Sequence, residues 1–226
     1  MYRSWPCPMP DGTLGEEMLL AFDRTRDVRI LIIPPLFEEA NKFRHQTFEF
    51  MRILDERCID CMLPDLPGCN ESLAPQAGQT LGSWRKAVAA AASHVNATHA
   101  IGIRSGCWLM PPDLPGWSYA PVEPARILKG LVRARMIASR EVGIEETSES
   151  ILDNGRSVGL EMGGWHLGAE LVREFEAALI APTPDHIMIE HSEIGGKPLW
   201  LSAENTCDLA QAKALADRIG ADLETV

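Results

Sequence analysis

Residues 28–63, VRILIIPPLFEEANKFRHQTFEFMRILDERCIDCML, decide the fold class. The run VRILII is rich in β-branched residues and is ended by two prolines, and CIDCML at 58–63 is a second apolar run. Short apolar runs of this kind are typical of buried strands. Between them, residues 38–57 have apolar side chains at roughly helical spacing: Phe43, Phe48, Phe50, Met51 and Leu54. A strand, a helix and a second strand in this order predict a parallel sheet.

The same alternation continues along most of the chain. Helices are predicted over 81–95, 125–140, 169–180 and 207–219, and strands over 17–22, 99–103, 117–122, 186–191 and 222–226. Strands that alternate with helices form a sheet with both faces covered. The sequence therefore predicts an α/β fold, a three-layer sandwich around a mostly parallel central sheet.

Residues 141–165 interrupt this pattern, because they are polar, contain glycine and have weak periodicity. We interpret them as a small lid over the carboxyl end of the sheet, more mobile than the core. Residues 1–15, with their prolines and glycines, predict an extended arm or the start of a hairpin. A length of 226 residues without a repeat or a clear linker indicates one domain, 1–226.

The charge balance argues against polyanionic partners. Lysine and arginine number 21 and acidic residues 32, a formal net charge of −11. Such a surface repels a phosphate backbone and, by the same reasoning, an anionic membrane. No apolar run approaches the about 20 residues of a membrane span, and the N-terminus lacks the pattern of a signal peptide. We therefore expect a cytoplasmic protein.

The six cysteines are scattered, which is not the pattern of a disulfide framework. Cys58 and Cys61 form a single C-x-x-C where a helix gives way to a strand, whereas redox motifs of this kind lie where a strand gives way to a helix. No second pair is present to complete a zinc site. We predict reduced, structural thiols and neither a metal ion nor a cofactor.

Three loops should meet at the carboxyl ends of the strands, where ligands bind in open α/β sheets. The first is 34–44, which begins with PPLFEE, and the second is 64–72, with the sequence PDLPGCNES. The third is 104–110, which begins inside the motif GIRSG at 102–106. Together with WSYAPVEPARILKGLVRAR at 117–135, these motifs resemble the α/β-hydrolase superfamily and, within it, the exosortase A system-associated hydrolases, type 2. The resemblance spans about residues 28–226. It implies an esterase or acyl hydrolase of an exosortase and exopolysaccharide system, with 102–106 as the nucleophile elbow and 34–39 as the oxyanion loop.

The register of the elbow is unusual. A nucleophile elbow needs small residues two positions before and after its tip, because the tight turn leaves no room for side chains. Gly102 and Gly106 meet this requirement only with Arg104 at the tip, and arginine has no nucleophilic atom near neutral pH. We predict a left-handed backbone at Arg104, with its guanidinium in the cleft beside Glu38 or Glu39, or beside an anionic ligand. The alternative is that GIRSG is only a tight strand-to-helix turn.

The remaining candidates depend on this register. Ser105 would be the nucleophile of a hydrolase, or Cys107 in its place, with His191 and Glu193 as the candidate partners, although both are also ordinary surface residues. In this fold the catalytic histidine follows the last strand, and no histidine follows His191. We therefore predict that no complete Ser-His-acid triad forms. The backbone N–H groups of Leu36, Phe37, Ser105 and Gly106 are candidates for an anion hole.

Two functions remain open at this level. One is an ester or acyl hydrolase that acts through Ser105; the other is a non-catalytic binding or scaffold protein that uses the same cleft. Glu38, Asn41 and Lys42 share one side of a helix start. They belong to the site, or the acidic residues of this turn, Glu38 and Glu39, only complement the helix dipole. A basic series is interpreted as a solvated helix face, and the alternative is that it lines a cleft for an acidic substrate: Arg126, Lys129, Arg133, Arg135 and Arg140. The expected partner is a small acyl, ester or anionic molecule, and a homodimer stays open.

Overall fold

The computed structural model describes residues 1–178 and 185–225. Nine strands occur in these ranges: β1 Tyr2–Pro8, β2 Leu14–Phe22, β3 Arg29–Ile33, β4 Asp60–Pro64, β5 His99–Ile103, β6 Gly116–Tyr119, β7 Leu160–Met162, β8 Trp165–Leu167 and β9 His186–Ile189. Seven α-helices accompany them: α1 Glu38–Glu56, α2 Leu81–His94, α3 Pro124–Glu141, α4 Ser148–Val158, α5 Ala169–Ala177, α6 His191–Ile194 and α7 Leu209–Leu223. Short 3₁₀ turns occupy Gln76–Gly78, Arg104–Leu109 and Leu199–Leu201.

Seven strands form the central sheet in the order β1-β2-β4-β3-β5-β6-β9. The five strands from β4 to β9 are parallel, and β1 and β2 add an antiparallel hairpin at one edge. The innermost strands are buried almost throughout, as expected where both faces of a sheet are covered. The prediction of a mostly parallel central sheet is confirmed.

The two faces of the sheet carry separate cores. On one face, α1 and α7 bury apolar side chains such as Phe50, Leu54 and Ile219 against the strands. On the other face, α2, α3, α4 and α5 bury a larger cluster that includes Trp84 and Phe175. Helices on both faces complete the predicted three-layer α/β sandwich. No helix in the described part of the chain is long and apolar enough to cross a bilayer.

Residues 141–165 are more regular than the sequence suggested. They contain α4 and most of the β7–β8 hairpin, which stays separate from the central sheet. Helix α4 begins with a capping box in which Thr147 and Ser150 each accept a hydrogen bond from the other's backbone N–H. This pairing satisfies two backbone N–H donors that a helix N-terminus leaves free. The Thr147-x-x-Ser150 spacing is therefore the feature of the sequence that indicates a helix here.

Three strand predictions need correction. The predicted strand 117–122 stops at Tyr119. The predicted strand at 222–226 is wrong over its described part, because α7 continues to Leu223; its buried positions Leu215, Ala216 and Ile219 have helical spacing, and Gly220 does not end the helix. Val226 lies outside the described residues, as do the last two residues of the predicted helix 169–180. The predicted strand 186–191 stops at Ile189, since α6 begins at His191.

Candidate functional site

The turn after β5 has the geometry of an elbow with Arg104 at its tip. Arg104 has a φ of 54°, in the left-handed region that non-glycine residues rarely adopt. A Cβ atom on Gly102 would lie 2.7 Å from the Cα atom of Cys107, and one on Gly106 would lie 2.3 Å from the carbonyl oxygen of Ile33. Both flanking positions therefore require glycine, and the predicted register and backbone of Arg104 are confirmed.

The segment after this tip is a buried 3₁₀ turn, Arg104–Leu109, instead of the α-helix that usually follows a strand in such folds. Pro111 and Pro112 come directly after its C-cap Met110. Proline lacks a backbone N–H and clashes with the preceding turn, so the helix cannot extend. The chain proceeds to β6 at once.

The Arg104 guanidinium is held on three sides. Its Nε and Nη2 atoms donate to the two carboxylate oxygens of Glu39, each at 3.1 Å, and Nη1 donates to the Ala120 carbonyl at 2.9 Å. The Cζ atom lies 4.1 Å from the ring centroid of Trp200. Only 8% of the Arg104 side chain and 15% of that of Glu39 are exposed. Of the two predicted partners Glu38 and Glu39, the structure brings Glu39 to Arg104.

Ser105 faces away from the cleft. Its residue exposure is 0%, and its Oγ accepts a hydrogen bond from the Leu36 backbone N–H at 2.8 Å. One of the four N–H groups considered for an anion hole is therefore bonded to a protein hydroxyl in this structure. This bond joins the elbow to the loop after β3, which also carries Phe37 in a left-handed conformation with φ of 60°.

Cys107, the alternative nucleophile, is buried behind the elbow. Its Sγ donates to the Gly102 carbonyl at 3.1 Å. Burial raises the pKa of this thiol to about 12, although Ser118 and Arg104 act in the opposite direction. Because the thiolate is the reactive form of cysteine, this side chain stays a protonated thiol near neutral pH.

His191 and Glu193 lie on α6, beyond Trp200 as seen from Arg104. A ring nitrogen of His191, Nδ1, shares a hydrogen bond with the Tyr119 hydroxyl at 2.8 Å, and its ring meets that of Trp200 edge to face, with centroids 4.8 Å apart. The Glu193 carboxylate accepts from the Glu190 N–H at 2.7 Å and caps this short helix. Neither side chain is hydrogen-bonded to Ser105.

All six histidines fall in the described ranges, and no hydrogen bond joins any of their ring nitrogens to Ser105 Oγ there. A general base must be within hydrogen-bond reach of the proton that it takes. The structure thus does not assemble Ser105, His191 and Glu193 into a triad. Over residues 1–178 and 185–225 no three histidine, cysteine or acidic side chains converge as a metal site either.

The loop 64–72 lies beside the loop after β3, because Leu66 and Asn70 line a small hollow together with Phe37. Asn70 donates to the Asp65 carboxylate at 2.8 Å, and the Ser72 hydroxyl donates to Glu17 at 2.7 Å. Burial raises the pKa of both carboxyl groups above their ordinary values. Trp84 donates its indole N–H to the Pro67 carbonyl at 2.9 Å, which fixes the loop to α2. These contacts make the loop a scaffold for the site.

A cleft of about 530 Å³ opens above Arg104 at the carboxyl ends of the strands. Its floor is Arg104 with Glu39, and its apolar walls come from α3, the β7–β8 turn and the segment before α7. The wall residues include Ile127, Leu131, Ala134, Trp165, Trp200 and Leu201. Trp165 and Trp200 were not among the sequence candidates, since no local pattern links two tryptophans so far from the elbow.

The cleft contains three cations with different surroundings. Arg104 is paired with Glu39, and Lys42 with Glu38 at 2.9 Å in an i, i+4 arrangement. Arg126 of α3 is exposed and forms no ion pair with any residue in the described ranges. Arg126 is therefore the cation of this cleft that no carboxylate of the described residues pairs with.

The predicted lid contributes to this cleft through its end. Gly163, Gly164 and Trp165 line the cleft, and the Trp165 ring meets Phe37 edge to face with centroids 5.6 Å apart. Helix α4 itself packs on α3 and α5. The end of the segment thus lies where the sequence analysis expected it, at the carboxyl edge of the sheet.

Comparison with known proteins identifies the fold. No protein-family model matches the chain, and no curated protein matches its sequence. Among solved structures, a proposed hydrolase from Agrobacterium vitis S4 is similar at a TM-score of 0.58 and 12% identity, over 98% of each chain. Alpha/beta hydrolase domain-containing protein 10 from mouse is similar at 0.57 and 14%, over 100% of this chain and 99% of that one. A thermophilic esterase from Thermogutta terrifontis, solved with malate bound, gives 0.53 and 12%, over 99% and 98%.

Proposed function

The chain has the α/β-hydrolase fold, and from this premise we propose that it is a ligand-binding protein that does not hydrolyse esters through a serine nucleophile. The observation that carries this proposal is Arg104 at the tip of the elbow, with its guanidinium bonded to both oxygens of Glu39. The elbow exists to present a nucleophile to the cleft. An arginine there presents a permanently charged donor, which binds and orients but does not attack a carbonyl carbon.

The neighbouring side chains support the same reading of the site. Ser105 is fully buried and directs its hydroxyl to the Leu36 N–H. Cys107 is buried with a raised pKa. Nucleophilic catalysis needs an exposed, activated hydroxyl or thiolate next to a base. Acyl hydrolysis through Ser105 remains the alternative, and the turnover experiment below decides between the two.

We propose an amphiphilic anion as the ligand. Two tryptophans and the aliphatic side chains of α3 offer an apolar surface for an acyl chain or an aromatic ring. Arg126 supplies an unpaired charge in the same cleft. Arg104 has five N–H donors, of which three are bonded to residues in the described ranges, so we propose that the other two are offered to a carboxylate or phosphate oxygen.

Turnover of p-nitrophenyl butyrate and octanoate tests the absence of serine catalysis. We expect the wild type and Ser105→Ala to hydrolyse both esters at the same rate, indistinguishable from that of heat-denatured protein. Ser118→Ala is the matched control, because Ser118 is also a buried serine near the elbow. Turnover that Ser105→Ala abolishes and Ser118→Ala retains would establish the hydrolase alternative.

Calorimetric titration with decanoate tests the ligand class. We expect decanoate to bind, decanol to bind at least tenfold more weakly, and Arg126→Gln to remove this preference for the charged molecule. Lys86→Gln, which removes an exposed lysine on α2, is the control for net charge. Equal affinity for decanoate and decanol would contradict a binding site for anions.

The motifs of the three loops support a more specific setting. We propose that the protein serves an exosortase and exopolysaccharide system from the cytoplasm, as the type 2 exosortase-associated hydrolases that it resembles would. The location of its gene beside exosortase genes, and fractionation of the native protein, test this setting. Sedimentation equilibrium tests whether the protein is a homodimer.

A further inference from the structure

The solvent face of α3 carries a stripe of cations. Arg126, Lys129, Arg133 and Arg140 are all exposed. At 3.6 residues per turn these four positions fall within an arc of about 60°, along about 21 Å of the helix axis. The helix has no acidic residue before Glu141. A protein with a net charge of −11 thus has one strongly basic surface.

These four cations are available to a partner. None of them forms an ion pair with a residue in the described ranges, whereas Arg135, on the side of α3 toward α4, is bonded to Glu146 at 2.7 Å. Elsewhere most arginines of the structure are paired with carboxylates, as Arg29 is with Asp23 and Asp60. The stripe therefore lies outside the ion-pair network of the described residues, and the acidic side chains beside it are Glu141 and Glu145, which share a surface hollow with Arg133 and Arg140.

Apolar side chains are exposed at the end of the same surface. The exposed fractions are 37% for Met136, 53% for Ile137, 72% for Val142 and 53% for Ile144. The first two lie on the solvent face of α3, and the other two lie in the turn that follows. Exposed apolar side chains grouped in this way mark an interaction surface.

We propose that this surface, the α3 stripe with its apolar end, docks the protein on an anionic lipid bilayer. Cations attract acidic headgroups, and apolar side chains beside them enter the boundary between headgroups and acyl chains. The net charge of −11 does not prevent this, because salt screens charges beyond a Debye length of about 8 Å. The expectation drawn from net charge alone, that an anionic membrane is disfavoured, neglects this local asymmetry.

A nucleic acid is the less favoured partner, because its backbone offers nothing to the four exposed apolar side chains.

The docking surface adjoins the mouth of the cleft. Arg126 and Gly130 belong to this exposed side of α3 and also line the cleft, so docking would place the cleft mouth beside the bilayer. The docking surface stands whether or not the cleft is catalytic.

Co-sedimentation with vesicles tests the proposal. Vesicles of phosphatidylcholine with 30% phosphatidylglycerol should bind the protein, and vesicles of phosphatidylcholine alone should not. Arg133→Gln with Arg140→Gln should weaken binding about 25-fold, from about fivefold per cation. Lys86→Gln with Lys197→Gln removes the same charge from exposed sites elsewhere and should change binding by less than about twofold, since these sites are outside the docking surface.

A second pair of variants separates the apolar contribution. Ile137→Ser with Ile144→Ser should reduce the binding that persists at 0.5 M salt, with an unchanged melting temperature because both side chains are exposed. Failure of the wild type to sediment with acidic vesicles would overturn the proposal. An equal loss of vesicle binding in the arginine double variant and the lysine double variant would overturn it as well. Tighter binding to single-stranded RNA, lost in the same arginine pair, would assign the surface to nucleic acid instead.

Discussion

Breaking the Arg104–Glu39 pair should destabilise the whole domain. Glu39→Gln removes the charge that balances Arg104, while the guanidinium stays 8% exposed against Trp200. Removing one partner of a buried ion pair costs about 3–5 kcal/mol, because the remaining charge is left uncompensated. Since Glu39 is 15% exposed and water can approach it, we expect the lower end, about 3 kcal/mol.

Urea unfolding followed by tryptophan fluorescence measures this loss. With a slope of about 3 kcal/mol/M, a destabilisation of about 3 kcal/mol lowers the midpoint by about 1 M. The corresponding decrease in melting temperature is about 6–12 °C for a domain of this size. Glu38→Gln is the matched control: the adjacent carboxylate is 74% exposed and paired only with Lys42, so its loss should cost less than about 0.5 kcal/mol.

A double-mutant cycle with Arg104→Met isolates the interaction from other effects of the two substitutions. We expect a coupling free energy of about 2–3 kcal/mol between positions 39 and 104, because the two side chains share two hydrogen bonds. Additive effects, with a coupling free energy below about 0.5 kcal/mol, would refute the interpretation that the Arg104–Glu39 ion pair stabilises the elbow. Equal losses for Glu38→Gln and Glu39→Gln would refute it as well.

Three further predictions concern the elbow and its scaffold. Arg104→Ser should not produce esterase turnover above that of heat-denatured protein, since no histidine in the described ranges is hydrogen-bonded to residues 104–107, and the His191 ring is bonded to Tyr119 instead. A clear gain in p-nitrophenyl butyrate hydrolysis would show a base that this structure does not place there. Gly106→Ala should lower the melting temperature strongly, because its Cβ would lie 2.3 Å from a carbonyl oxygen. Gly130→Ala, where no atom lies within 4 Å of the added Cβ in helix α3, should instead raise the free energy of unfolding by about 0.5–1 kcal/mol, and similar melting temperatures for the two variants would contradict this. A hydrogen bond from Arg29 lowers the pKa of Asp23 to about 2, so Asp23 stabilises the fold above pH 4 by about 1–2 kcal/mol, and this stabilisation is lost as the pH falls from about 4 to about 2. In Asp23→Asn the free energy of unfolding should therefore depend less on pH below 4, and an unchanged dependence would count against this account.

The elbow is the part of the site that could be predicted most closely from the sequence. Gly102 and Gly106 exclude every register except the one with Arg104 at the tip, because a Cβ at either position collides with backbone. This steric rule acts over five consecutive residues, so it needs no knowledge of the fold. The choice of Glu39 over Glu38 was beyond the sequence, since both begin α1 and only the angle between α1 and β5 decides which carboxylate reaches the guanidinium.

Elements were predictable where the hydrophobic period was strong and uninterrupted. Strand β3 and helix α1 follow from their patterns almost to the residue. Helix α4 was missed, because its signal is a capping box and only Ile151 and Gly155 are buried. The end of α7 was predicted as a separate strand, 222–226, because the six residues after Gly220 are too few to show a helical period.

The α/β architecture, the place of the elbow and the residue at its tip are all predictable from local sequence patterns. These features follow from patterns within one strand, one helix or one turn, where backbone sterics and side-chain periodicity act locally. It takes the packing of separate elements to bring Trp200 over Arg104, to place Trp165 in the wall of the cleft, and to leave four cations of α3 without an ion pair to any residue in 1–178 and 185–225. Such convergence depends on how separate helices and loops pack over the sheet, and no residue carries that information in its own neighbourhood of the chain.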